Sequence, residues 1–217
     1  MRTTRKLALA TALTALFAAS ASQAAFIFVD TSAPIGSAST PVPAINNFQS
    51  QLSSNGVSSF FLGRSLSVAG AQFGDYIEID FMAAEAGYRN QLIWGSTTVV
   101  NNLGNQSWSA RDRGNVTAVN GVQNFRFCSV NPSHCLTNAA NDTTVIGSFQ
   151  SIGMYLTNGG NTAWLLWDDS GANMDDNHDD LIVRLTYHSV PEPGTLTLLG
   201  LGLVGVALIR RRKITQI

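Results

Sequence analysis

Two apolar stretches, one near each end of the sequence, confine any globular domain to the residues between them. The first covers residues 7–19; three basic residues precede it, and the small-residue triplet Ser22-Gln23-Ala24 follows. A basic start, an apolar middle and a small-residue cleavage site are the parts of a secretory signal peptide. We therefore predict a signal peptide at residues 1–24, exported by the general secretion machinery and cut by signal peptidase after Ala24. A retained N-terminal anchor is the alternative interpretation.

The second apolar stretch covers residues 196–209 and contains no charged residue. A basic cluster follows it directly: Arg210, Arg211, Arg212 and Lys213. As a helix the apolar run is only ~21 Å long, but residues 194–213 reach ~30 Å, the thickness of a bilayer's hydrocarbon core, if the basic side chains extend to the interface. This predicts one transmembrane helix with its basic end in the cytoplasm and the bulk of the chain outside. A buried core helix with a basic end is the alternative.

The motif Pro191, Glu192 and Pro193 stands just before this stretch. Each proline ring fixes φ and pushes the preceding residue toward an extended conformation. We therefore expect an exposed, extended strip, which suits the cleft of an enzyme. The motif, the apolar run and the basic cluster, at residues 190–213, together resemble the sorting signal of PEP-CTERM proteins of Gram-negative bacteria.

This resemblance implies a route and a partner for the chain. In that family a membrane-embedded cysteine protease, exosortase, recognises the tail and cuts near the Pro-Glu-Pro motif. The resemblance implies that the chain is exported, anchored transiently in the inner membrane, and then delivered to the cell surface or extracellular matrix. Exopolysaccharide is a further candidate partner there. The resemblance covers the tail alone and implies nothing about residues 25–189.

The segment between the two ends, residues 25–189, is long enough for one domain with a substantial core. Seven of the chain's 13 basic residues lie in the two terminal segments, whereas only one of its 14 acidic residues, Glu192, does. The segment is therefore strongly acidic, although the whole chain has a net charge of −1. An acidic surface without lysine argues against nucleic acid and anionic membranes as partners.

Alternation of apolar and polar residues is clearest at residues 75–81, where the apolar side chains fall on one face of a strand and the acidic ones on the other. Further strands are predicted at residues 26–29, 91–94, 97–100, 116–119, 125–127, 148–156, 163–167 and 181–187. Ile45, Phe48 and Leu52 have the spacing of one face of a short helix. Many short strands with polar turns predict an all-β fold, an antiparallel β-sandwich or jelly roll, flanked by the signal helix and the transmembrane helix.

Cys128 and Cys135 are the only cysteines of the chain. Because export leads to an oxidising compartment, we predict a disulfide between them. Closing so short a loop stabilises a domain by ~2.5 kcal/mol in the chain-entropy treatment. The alternatives are two free thiols, or a metal site that also uses His134.

Six carboxylates lie between positions 168 and 180, between two apolar strand candidates. Two like charges about 4 Å apart cost ~4 kcal/mol near a protein surface, so this loop needs neutralisation. Calcium accepts several hard oxygen ligands in flexible geometry, which makes it the candidate cofactor. The candidate ligands are Asp168, Asp169, Asp175, Asn177, Asp179 and Asp180. A solvated acidic turn is the alternative.

A second resemblance concerns the domain itself. Residues 85–90 (Glu-Ala-Gly-Tyr-Arg-Asn), with the Trp-Asp-Asp at 167–169 and the Asp-rich residues 177–183, resemble an uncharacterised exported β-domain. The resemblance implies calcium binding at the late Asp-rich strand entry, and it implies no catalytic residue.

No motif of an enzyme family is present: the sequence lacks G-x-S-x-G, H-E-x-x-H and a P-loop, and its three histidines give no local support to a Ser-His-Asp arrangement. We therefore expect an exported, non-catalytic surface or matrix protein. The alternatives are a calcium-dependent adhesion or glycan-binding module and a secreted hydrolase.

Overall fold

The computed structural model describes residues 24–29, 39–85, 87–102, 104–130, 133–141, 150–169 and 177–190, and the single positions 200 and 202. Within these ranges the paired strands are antiparallel and form four sheets. In chain order the strands are β1 (Ala25–Val29), β2 (Thr40–Pro41), β3 (Ser59–Phe60), β4 (Ser65–Ala69), β5 (Tyr76–Ala83), β6 (Asn90–Trp94), β7 (Thr97–Asn101), β8 (Arg111–Thr117), β9 (Gly121–Val122), β10 (Phe125–Val130), β11 (Ser133–Thr137), β12 (Ser151–Thr157), β13 (Thr162–Asp168) and β14 (Leu181–His188). The helical pieces are α1 (Gln49–Ser54), α2 (Asn138–Asn141) and a 3-10 helix at Asn158–Gly160.

The largest sheet has five strands in the order β12-β13-β14-β5-β8, and its central strands are buried on both faces. All seven residues of β13 are buried. In β14 the neighbours Ile182 and Val183, which point to opposite faces, are both fully buried. Such strands are continuous apolar runs rather than alternating ones, because both faces have to be covered.

One hydrophobic core joins a face of this sheet to two smaller sheets. The sheet β1-β4-β9 contributes Phe26 and Leu66, and the sheet β11-β10-β6-β7 contributes Leu92 and Phe127. The ring of Phe127 stacks on Trp167 of β13, with 5.4 Å between ring centroids. Antiparallel sheets that enclose a shared core confirm the predicted all-β sandwich class.

A second core covers the other face of the five-stranded sheet. Leu52 of α1 packs there with Trp164 and Ile182, and β3 adds Phe60. This layer explains why the central strands carry apolar residues on both sides.

The predicted short helix is present but begins later than its apolar spacing indicated. It starts at Gln49, and Ile45 is 59% exposed, so the expectation that Ile45 lies on the helix's buried face is wrong. The side-chain Oδ1 of Asn46 accepts a hydrogen bond from the backbone N–H of Phe48 at 2.8 Å. This local bond favours a turn over a helix at residues 44–48.

The other predicted strands overlap observed ones, with one clear offset. The strand predicted at 116–119 is β8, which begins at Arg111 and ends at Thr117 because it pairs with β5 over that length. Residues 148 and 149, predicted as the start of β12, lie outside the described residues.

Both predicted terminal segments lie outside the described ranges, apart from Ala24 and positions 190, 200 and 202. In the part of the chain that the structure describes, no helix has the length and apolar character needed to cross a bilayer. Ala24 is itself buried in the main core, at 4% exposure. Cleavage after Ala24, and the division into segments 1–24, 25–189 and 190–213, remain predictions.

Candidate functional site

The disulfide is confirmed. Cys128 of β10 and Cys135 of β11 are directly opposed in the antiparallel pair, with 4.1 Å between their Cα atoms, and their sulfurs are bonded. The sulfur bond excludes the alternatives of free thiols and of a metal site built with His134.

The predicted calcium ligands meet at one end of the five-stranded sheet. Asp168 ends β13 and Asp169 follows it, while Asn177, Asp179 and Asp180 directly precede β14. Since β13 and β14 are antiparallel neighbours, the end of one strand lies beside the start of the other. All five side chains are buried, Asp168 at 1% and Asp179 at 0% exposure. The sixth candidate, Asp175, lies outside the described residues.

Hydrogen bonds join this acidic end to residues far away in the sequence. Asp180 Oδ2 accepts from the backbone N–H of Asp169 at 2.7 Å. The Asn90 side-chain amide donates to Asp169 Oδ2, while its Oδ1 accepts from the Trp167 indole N–H at 3.2 Å. Asn102 in turn donates to the backbone carbonyl of Asp180 at 3.3 Å. Strand β6 and the segment after β7 therefore form one wall of the acidic end.

The turn before α1 forms a second wall. The backbone N–H of Asn47 donates to Asp179 Oδ2 at 2.7 Å, and the side chain of Asn46 donates to the backbone carbonyl of Asn177 at 2.8 Å. The backbone N–H of Glu85 donates to the carbonyl of Asp179 at 2.8 Å. These contacts bring together the segments on which the second resemblance is based.

Burial and crowding set the charge of this end. Burial raises the pKa of Asp180 to about 9, and the negative charge of Asp169 adds to the effect, although the hydrogen bond from the Asp169 amide opposes it. The raised pKa favours the protonated form of Asp180, which reduces the repulsion in the cluster. Among the described residues, no three acidic, histidine or cysteine side chains form a group that could hold a metal ion.

Ser151, His178 and Asp168 lie in a row beside the acidic end. Ser151 Oγ is 2.8 Å from His178 Nε2, and His178 Nδ1 is 3.7 Å from Asp168 Oδ2. This is the order of a Ser-His-Asp triad, and no local motif in the sequence indicated it. The three residues are at most 3% exposed, and the ring of Phe60 covers the imidazole at a centroid distance of 4.4 Å. The row ties the edge strand β12 to the segment before β14.

The opposite end of β14 leads to the tail. The carboxylate of Asp75 accepts three hydrogen bonds. The donors are the Tyr187 hydroxyl, the backbone N–H of Gln72 at 2.7 Å and the backbone N–H of Val190 at 2.8 Å. Burial opposes ionisation of Asp75, but these hydrogen bonds outweigh it and lower its pKa. Asp75 thus fixes the residue just before Pro191.

The remaining predicted site residues, namely Pro191, Glu192, Pro193, Arg210, Arg211, Arg212 and Lys213, lie outside the described residues. Sequence reasoning missed Asp75, Asn46, Asn102 and Ser151. Each of them is a single polar residue whose partner lies in a distant part of the chain, so no local pattern marks it.

The structure shows a β-domain whose last strand, β14, is followed directly by the C-terminal tail. Residues 189–213 match the family described as the PEP-CTERM protein-sorting motif. The chain therefore carries a PEP-CTERM sorting signal, and this signal implies an exported protein that an exosortase sorts and processes. No curated protein and no solved structure is significantly similar to this chain, so the domain's resemblance to an exported Asp-rich family has no further support.

Proposed function

We propose that this is a non-catalytic protein of the cell surface or extracellular matrix, freed from a membrane anchor when exosortase cuts its tail. The observation that carries the proposal is the sorting motif at residues 189–213, attached directly to a folded β-domain. The bond from Val190 to Asp75 shows that the domain extends to the residue before the motif, so no spacer separates the two.

Mass spectrometry of the protein from producing cells tests this route. We expect a mature mass that lacks the basic tail, and a longer product in cells without the protease. Replacing Pro191 and Pro193 by alanine should give the longer product as well. A matched control replaces Pro41 and Pro43, which lie in and just after β2, and should leave processing intact. If the basic tail remains attached in wild-type cells, the proposal fails.

The burial of Ser151, His178 and Asp168, which we call the Ser151 row, supports the non-catalytic part of the proposal. A nucleophile has to meet its substrate, whereas Ser151 is 3% exposed and its partner His178 lies under Phe60. We assign the row a structural role. On a panel of activated esters, the wild-type protein and a Ser151→Ala variant should show the same background turnover. Turnover that this single substitution abolishes would instead establish a hydrolase.

Calcium-dependent adhesion or glycan binding is the second candidate function. The observation that favours it is the concentration of Asp168, Asp169, Asp179 and Asp180 in a buried end of the sheet. The donor set suits calcium in its chemistry. The fit is partial, because the described residues contain no group of three acidic, histidine or cysteine side chains that could hold a metal ion. A bound ion would therefore need Asp175 as a further ligand.

Calcium titration followed by thermal unfolding tests this candidate. A ligand that binds the folded state at 100 times its Kd adds about 2.7 kcal/mol of stability, so binding should raise Tm by several degrees. An Asp175→Asn variant should lose the shift, whereas Asp112→Asn, at an exposed residue of β8, should keep it. No shift in the wild-type protein would remove the calcium candidate.

A further inference from the structure

Exposed apolar side chains surround the point where the chain leaves the domain. Phe73 is 103% exposed, Val119 is 50% exposed and Val190 is 42% exposed. Large apolar residues that are exposed singly are ordinary, whereas a group of them at one place indicates a contact surface. We call these three residues the exit patch.

Contacts show that the exit patch is one place in the fold. A Cβ atom on Gly74, the neighbour of Phe73, would lie 3.7 Å from the Cβ of Val190. The amide of Ala118, the neighbour of Val119, donates to the carbonyl of Asp75 at 3.0 Å. The two loops are also joined by Asn120, which exchanges two hydrogen bonds with the backbone of Ala71, at 2.8 and 3.0 Å.

The patch carries no surface charge of its own. Residues 70–74 and 118–122 include no charged residue. Among the described residues, the carboxylate nearest in sequence to Phe73 is that of Asp75, which is 1% exposed and engaged by its three donors. The patch thus differs from the acidic surface expected for the domain as a whole.

The length of the tail determines what lies opposite this patch. Only residues 191–195 separate Val190 from the apolar run at 196–209. Even fully extended, they reach at most about 20 Å. With the tail in a bilayer, the face that carries Val190 is therefore held next to the lipid headgroups, where aromatic and aliphatic side chains gain from partial burial.

We propose that, before the tail is cut, the exit patch rests on the lipid surface of the membrane and orients the domain for processing. This proposal depends on the proposed function, since it needs the tail to be inserted in the membrane. The partner is lipid rather than the protease, because the short reach of the tail places a bilayer next to this face even when no protease is bound.

Site-specific quenching tests the proposal in the full-length chain. The chain has no other cysteine than the disulfide pair, so a Phe73→Cys variant can be labelled there alone with an environment-sensitive fluorophore. It is reconstituted in phosphatidylcholine vesicles whose acyl chains carry nitroxide quenchers, with no other protein present. We expect at least a two-fold loss of fluorescence compared with vesicles that lack the quencher.

The matched control is Ile45→Cys, which is also exposed and lies in the turn bonded to the residues before β14. Strand β14 has eight residues, so this turn lies about 26 Å from the exit patch along the strand. The label at position 45 should keep its fluorescence. Equal fluorescence changes at positions 73 and 45 would overturn the proposal.

A third label, at Leu203→Cys in the apolar run, distinguishes lipid contact of the exit patch from membrane anchoring of the tail. If position 203 is quenched and position 73 is not, the exit patch does not meet lipid, while membrane anchoring stands. If position 203 is not quenched either, the anchoring itself fails, and the proposal falls with it.

Discussion

Gly153 of β12 lies against the rings of Phe60 and His178. A Cβ atom at this position would be 2.7 Å from Phe60 Cδ2, 2.9 Å from Phe60 Cγ and 3.2 Å from His178 Cδ2. Neither ring can move away easily, because Phe60 and His178 are both 1% exposed and contact each other. A Gly153→Ala substitution therefore overpacks this part of the protein.

The magnitude follows from two opposing effects. Overpacking a tight core costs ~1–3 kcal/mol, and replacing glycine returns ~0.4–1 kcal/mol by restricting the unfolded chain. The net loss is about 1–2 kcal/mol. For a domain of this size each kcal/mol lowers Tm by roughly 2–4 °C, so we expect a decrease of about 2–8 °C in thermal unfolding followed by circular dichroism.

Gly87→Ala is the matched control, because no atom lies within 4 Å of its Cβ position and its φ is not in the left-handed region. It should melt at the wild-type temperature or slightly above. Adding Phe60→Leu to Gly153→Ala should recover part of the loss relative to the sum of the single variants. If Gly153→Ala melts within 1 °C of the wild-type protein, the packing that we describe around His178 is refuted.

Three further predictions concern stability. Replacing Cys128 and Cys135 by serine should lower the free energy of unfolding by ~2.5 kcal/mol in urea titrations, and an unchanged midpoint would contradict the loop-closure argument. The pKa of Asp75 is lowered in the folded state, so its contribution to the free energy of unfolding is present above pH ~4 and is lost as the pH falls through the folded pKa. The wild-type protein should therefore lose more stability than Asp75→Asn between about pH 5 and pH 2 in urea titrations. Asn138 is fully buried and bonds to both backbone groups of Leu66 and to the carbonyl of Gln123, so Asn138→Ala should cost ~2 kcal/mol or more, and a loss below ~1 kcal/mol would contradict this role.

The strands that could be predicted are those whose burial leaves a pattern in the sequence. Strand β5 alternates between buried and partly exposed residues over its first half, and β13 is a continuous apolar run. Strand β8 was recognised only at its apolar end, because residues 111–115 are polar and mostly exposed. They form a strand because they pair with β5, and this pairing leaves no pattern in residues 111–115 themselves.

The candidate site was also only partly predictable from the sequence. The acidic end could be predicted because its carboxylates are close in sequence and flank two apolar strands. Its walls could not, because Asn46 and Asn177 are 131 residues apart and Asn90 and Asp169 are 79 apart. A single asparagine among many gives no sign of such a partner until the fold brings them together.

The two ends of β14 lie beside different features of the domain. The acidic end lies beside Leu181 at the start of β14, whereas the exit patch and the Asp75 hydrogen bonds lie at the other end of the strand, near His188. A cut within the Pro-Glu-Pro motif leaves the Val190 amide bonded to Asp75 and does not touch the acidic end, about 26 Å away along the strand. A cut before Val190 would remove a donor from a buried carboxylate, which costs ~1–3 kcal/mol or more. The mature protein should therefore retain Val190, because the folded domain is complete only when that residue is present.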